Sequence, residues 1–140
     1  MYQKDYILRL IEEMTKFLAV LFGLMKKGDF QKASEHLEKS YYELLKKDAA
    51  YFRSIPEDNL TYDLIEKHNY TNGHLEILAE LFNAEAEIYD AKGDKTGNLS
   101  YSQKSLMIFR FIDNEYRTYS QERLDKMSRI ESRIRQLESN

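Results

Sequence analysis

Apolar residues recur along most of this chain at intervals of three and four, the signature of helices that bury one face. Leu75, Leu78, Phe82, Ala86 and Tyr89 form one such stripe, and Ile77, Leu81, Ala84 and Ile88 form a second beside it. Two stripes call for neighbours on two sides, so a helix over 74–91 is expected at the centre of the array. Lys92-Gly93-Asp94 ends it, and Leu99, Ser102, Leu106, Phe109 and Ile112 supply the stripe of a partner helix over 95–112. The same tripeptide occurs earlier as Lys27-Gly28-Asp29. There it joins an apolar helix over 4–26 to a helix over 29–47 with the stripe Phe30, Ala33, Leu37, Tyr41, Leu44 and Leu45. In both turns glycine suits the left-handed residue that ends a helix, and aspartate is a good N-cap for the next one.

Lys27–Ser40 aligns with Lys92–Ser105 without a gap, and five of the fourteen positions are identical. Gly28 and Gly93 lie 65 residues apart, close to two periods of the roughly 34-residue helical hairpin. On these residues the chain resembles the tetratricopeptide-repeat family. Phe82, Ala86, Tyr89 and Gly93-Asp94 follow the family pattern in the second copy, and Phe17, Leu24, Gly28, Ala33, Leu37 and Ser40 follow it in the first. The chain departs from it at Leu21, where the family has a small residue, and at Glu85, where it has leucine. Asn98, Ser102 and Ser105 stand where it has alanine, an aromatic and alanine. The resemblance implies an all-α fold of tetratricopeptide-like hairpins in an α-α superhelix, holding a protein partner in a concave groove. The groove positions it implies are Thr15, Leu18, Phe22 and Met25 in the first copy and Glu80, Asn83, Glu87 and Asp90 in the second. One half of the expected groove is apolar and the other acidic. The opening Tyr2-Gln3-Lys4-Asp5-Tyr6-Ile7, with the apolar helix it begins, also resembles a small bacterial family of unknown function.

Three segments add to the hairpins. On the first helix Asp5, Arg9, Glu12, Glu13 and Lys16 share one narrow face, and apolar residues fill more than half of the circumference. An end helix of a solenoid needs a polar outer face, so this one is expected to be covered, by another part of the chain or by a second copy. Residues 48–73 are irregular, with Pro56 opening a short helix that directs Leu60, Leu64 and Ile65 one way. They are the expected lid over the first helix. The last helix, read over 116–138, has the narrow seam Ser120, Arg123, Met127, Ile130, Ile134 and Leu137, with acid-first pairs Glu122–Lys126, Asp125–Arg129 and Glu131–Arg135 along its surface. That build suits a solvated cap or a coiled-coil contact.

Composition narrows the function classes. A chain of 140 residues with 42% apolar content has the size of one domain, 1–140, with a core of its own. One proline and five glycines leave few helix breaks. Without cysteine, disulfides and thiolate metal sites are excluded, which suits the cytoplasm. The longest apolar run, Phe17 to Met25, is half the length of a membrane span. A net charge of −3 gives no pull toward nucleic acid or anionic lipid. His36, His68 and His74 share no ligand spacing, so no metal, cofactor or catalytic set is expected. Glu85, between the two apolar stripes, is expected either to have its carboxyl raised by desolvation or to pair with a cation such as Arg110 or Arg117. The leading expectation is a non-enzymatic protein or peptide binding module or scaffold, with a homodimer as one way to cover the first helix. A ligand-binding regulatory domain, with its pocket between the first helix and the middle segment, is the second. An enzyme using carboxylates such as Glu85 is the third.

Overall fold

The computed structural model describes residues 2–117 and 119–139, with side chains from residue 5 onward. All regular structure among them is helical. In chain order the helices are α1 (Tyr2–Lys26), α2 (Phe30–Leu45), α3 (Ala49–Ser54), a 3₁₀ turn (Glu57–Asn59), α4 (Leu60–His68), α5 (Asn72–Ala91), α6 (Lys95–Tyr116) and α7 (Gln121–Ser139).

The two Lys-Gly-Asp turns are structural equivalents. Gly28 and Gly93 each have φ near +78°, the left-handed conformation that a Cβ disfavours. Asp29 accepts from the Lys32 N–H at 3.1 Å and Asp94 from the Gly97 N–H at 3.0 Å. Each caps the helix that follows. The hairpins they close, α1 with α2 and α5 with α6, are joined by α5, which packs against both α1 and α2. The central position expected from its two stripes is the one α5 occupies. Leu75, Leu78, Phe82 and Ala86 are fully buried, and so are Ile77 and Leu81 of the second stripe. Across the α2–α5 seam the Tyr41 and Phe82 rings lie 6.3 Å apart. At the other seam Ile7 lies directly over Gly73, where an added Cβ would overlap its side chain. Gly73, expected in a loop, is therefore inside α5, where its missing side chain lets α1 approach.

The remaining helix ends carry no glycine. Lys46, Asn69 and Arg117 take positive φ themselves, and α6 runs on to Tyr116 where the pattern placed its end at residue 112. Accordingly α7 begins at Gln121, five residues later than read. Its seam is as expected, with Arg123, Met127 and Ile130 buried against the body of the protein. Its surface pairs are not. Among the described residues the i,i+4 pairs give way to contacts across helices, Lys126 with Glu80 and Arg110 with Glu131.

The middle segment packs on the core, with Phe52, Leu60 and Leu64 buried, but it does not roof the open face of α1. Phe52 stacks on Tyr41, the Tyr70 hydroxyl donates to the Leu45 carbonyl at 2.6 Å, and the Tyr70 ring lies flat on His74 at 4.7 Å. These contacts tie it to the end of α2 and the start of α5. α1 is consequently less covered than a core helix. Leu10, Met14 and Leu21 are buried, but Leu8 and Val20 are each 51% exposed and Leu18 and Phe22 are half-buried.

Candidate interaction cleft

Beside the open flank of α1 runs a cleft of about 470 Å³, with α7 as its other wall. Five of the six α1 residues lining it are apolar: Ile11, Met14, Leu18, Ala19 and Phe22, with Thr15 the exception. Phe109 of α6 and Glu76 and Glu80 of α5 also line it, and Glu122, Arg123, Lys126 and Arg129 come from α7. Thr15, Ala19, Glu122 and Arg129 are exposed, so the cleft opens to solvent along its length. It contains no residue of 48–73, so a pocket of the kind expected between α1 and the middle segment is not formed by Leu18 and Phe22. A larger cleft of about 720 Å³ lies between α6 and α7, but seven of its eleven lining residues are polar, and two of these, Arg110 and Glu131, face each other at 3.7 Å.

The direction of the helices follows from the contacts. Arg123 lies 3.7 Å from Glu76, Lys126 2.5 Å from Glu80 and Arg133 3.8 Å from Glu87. The pairs advance together along both helices, so α5 and α7 run parallel. Ile7 over Gly73 joins the second turn of α1 to the first turn of α5, and these two also start at the same end.

Of the residues implied by the repeat resemblance, Thr15, Leu18, Phe22 and Glu80 share this one cleft. Met25 is half-buried and outside its lining. α7 lies along the acidic face of α5 over Asn83 and Glu87, while Asp90 at the end of that face stays exposed. Asn83 accepts from Arg133 at 2.5 Å, and Glu80 takes two hydrogen bonds from Lys126 at 2.7 and 2.5 Å. Asp90 accepts from the Asn98 amide at 3.2 Å. Glu80, Asn83 and Glu87 thus find their basic partners within the chain. Burial raises the Glu76 and Glu87 carboxyls above their ordinary range despite Arg123 and Arg133 beside them, and it lowers the Arg133 guanidinium. The pairs hold α7 in place, but desolvation opposes them. This contact was legible in principle, since Glu76, Glu80 and Glu87 line one helix face and Arg123, Lys126 and Arg133, opposite in sign, line another, both at helical spacings.

Glu85 is 4% exposed, and its cation comes from α3, not from Arg110 or Arg117. Arg53 bridges it to Glu38, the latter at 2.5 Å, while the Tyr41 hydroxyl donates to Glu85 at 3.4 Å. Burial raises the Glu85 carboxyl although Arg53 acts to lower it, and raises the Tyr41 hydroxyl further. A small cleft of about 210 Å³ reaches this network. The histidines each have a local structural contact: His36 with the Phe17 carbonyl at 3.0 Å, His68 with the Tyr51 hydroxyl, and His74 with the Thr71 N–H at 3.1 Å. Among the described residues no cluster of acidic and histidine side chains could hold a metal ion, and no helix is long and apolar enough to cross a membrane.

The chain belongs to a family of unknown function, DUF6483, whose model matches residues 1–136. No curated protein and no solved structure matches it.

Proposed function

We propose that this member of the family is a non-enzymatic protein-interaction module of tetratricopeptide-like build, working in the bacterial cytoplasm, which receives an amphipathic helix in the cleft between α1 and α7. The observation that carries this is the open apolar flank of α1. Leu8, Ile11, Thr15, Leu18, Phe22 and Met25 follow one another at spacings of three and four, yet among them none is fully buried. A continuous stripe of this kind, left to water, is the surface that a partner helix covers with its own i, i+3, i+4 and i+7 side chains. The two equivalent Lys-Gly-Asp turns and the parallel course of α1, α5 and α7 support the superhelical part of the reading. Glu85 belongs to the scaffold in this account. Its carboxylate is committed to Arg53 and Tyr41 in the core.

A photo-crosslinking residue in place of Ala19, introduced into the protein in cells, tests the reading. Ala19 is exposed beside the stripe, so the fold is expected to tolerate the change. Adducts to a polypeptide are expected from position 19 and not from Glu43, which is exposed on α2 away from the cleft. Adducts that Leu18→Glu abolishes would support the reading. No adduct at position 19 would refute it.

A further inference from the structure

We infer that the occupant of the cleft is α1 of a second copy of this chain, laid antiparallel to the first. The inference rests on the reading above, that the cleft receives a helix, and names which helix.

The argument starts from the flanks of the apolar stripe. On one side of the stripe Ile7, Met14 and Leu21 turn inward to the protein's own core. On the other side, one residue per two turns, stand Glu12, Ala19 and Lys26. Ala19 lies midway, seven residues from each charge, or about 10 Å at the helical rise. A twofold axis passing beside Ala19 therefore sets Glu12 of one copy opposite Lys26 of the other, and the same pair forms again on the far side of the axis. The surface is complementary to itself, as an isologous contact requires. A parallel pairing would instead set Glu12 opposite Glu12 and Lys26 opposite Lys26. Charge thus chooses the antiparallel arrangement, as flanking charges do in coiled coils.

The two charges are also free to serve. Among the described residues Glu76, Glu80 and Glu87 of α5 are paired with cations of α7, but neither Glu12 nor Lys26 makes an ion pair within the chain. On the α7 wall Glu122 stands at the end of the cleft where Glu76 and Arg123 meet, the end nearer the start of α1. An antiparallel α1 brings its C-terminal end, with Lys26 and Lys27, to that end. The alanine at the centre of the flank is the small residue that lets two helices come close on the axis.

The chain has no cysteine, so one engineered thiol reports on one position. In Ala19→Cys, a short bis-maleimide is expected to link two copies in high yield, while Glu43→Cys on the same protein links only at the level of random encounter. Native mass spectrometry of the unmodified protein should show a dimer. Glu12→Lys should weaken it about tenfold at low salt, since two pairs turn from attraction to repulsion. Glu12→Lys with Lys26→Glu restores the complementarity and should return the dimer to within about twofold of the original. All of these residues are exposed, and circular dichroism of each variant checks that the fold is intact. A monomer at tens of micromolar with no Ala19→Cys link overturns the inference, and so does a dimer that the double exchange fails to restore. If that monomer still gives Ala19 adducts to another polypeptide in cells, the cleft reading stands and only its occupant is wrong. If it gives none, both fall.

Discussion

Arg53 on α3 holds the buried carboxylate of Glu85 on α5, and the two belong to segments that local sequence gives no reason to join. The ion pair is what fastens the middle segment to the centre of the array, since the same guanidinium also reaches Glu38 on α2. Burial acts to lower Arg53, but Glu85 and Glu38 outweigh it and hold it above its ordinary value. Arg53→Ala removes the cation and leaves Glu85 in the core without it. The expected loss is about 3 kcal/mol, the lower end for breaking a buried pair, because Arg53 is itself one-third exposed. Replacing both residues with leucine should recover most of that loss. Equal denaturant midpoints for Arg53→Ala and the original protein would show that the pair is not a fastening.

The same carboxyl gives a pH dependence of definite sign. Glu85 is raised in the folded state, so the folded protein binds the more protons between the ordinary carboxylate value of 4.5 and the raised one. Stability from this group is complete below the unfolded value and falls as pH rises through the folded one. His74 acts in a different window. Burial lowers it below 6.5, so the unfolded chain binds the more protons there, and stability falls as pH drops below 6.5. His74→Gln keeps an acceptor in reach of the Thr71 N–H without titrating. Its stability between pH 7.5 and pH 5.5 should therefore decline less than that of the original protein, as measured by urea midpoints at the two values.

Lys126→Glu tests the seating of α7. The new carboxylate would face Glu80, which is 14% exposed, with Glu76 one turn away. We expect a loss of about 2 kcal/mol and faster amide exchange over residues 127–135. The charge exchange Glu80→Lys with Lys126→Glu should restore slow exchange. If α7 stays protected in Lys126→Glu, its apolar seam alone holds it.

Gly28→Val and Gly93→Val should each cost about 1–2 kcal/mol, because both need positive φ and valine is strained there. Gly73→Ala acts by a separate route. Its φ is not at issue, but the added methyl meets Ile7, and α1 must shift to admit it. All three changes lower the denaturant midpoint, but only Gly73→Ala should also speed amide exchange at the start of α1.

Periodicity alone determined that this chain is all-helical, that α5 lies at its centre and that Met127 and Ile130 face inward, because each follows from which side of a helix can leave water. Glycine and aspartate marked the two Lys-Gly-Asp turns for the same local reason: backbone conformation and capping depend on residues within one turn. The breaks at Lys46, Asn69 and Arg117 carried no such mark, since non-glycine residues adopt positive φ there only where the rest of the fold holds them. Leu18, Phe22 and Glu80 were legible as neighbours of one groove through the resemblance to tetratricopeptide repeats. That α7 would lie over Asn83 and Glu87, that Arg53 would be the cation for Glu85, and that 48–73 would leave the flank of α1 open were decided by tertiary structure. An ion pair and a helix crossing join residues dozens of positions apart, and which of several acids and cations meet depends on where whole helices come to rest, a matter no local pattern of side chains contains.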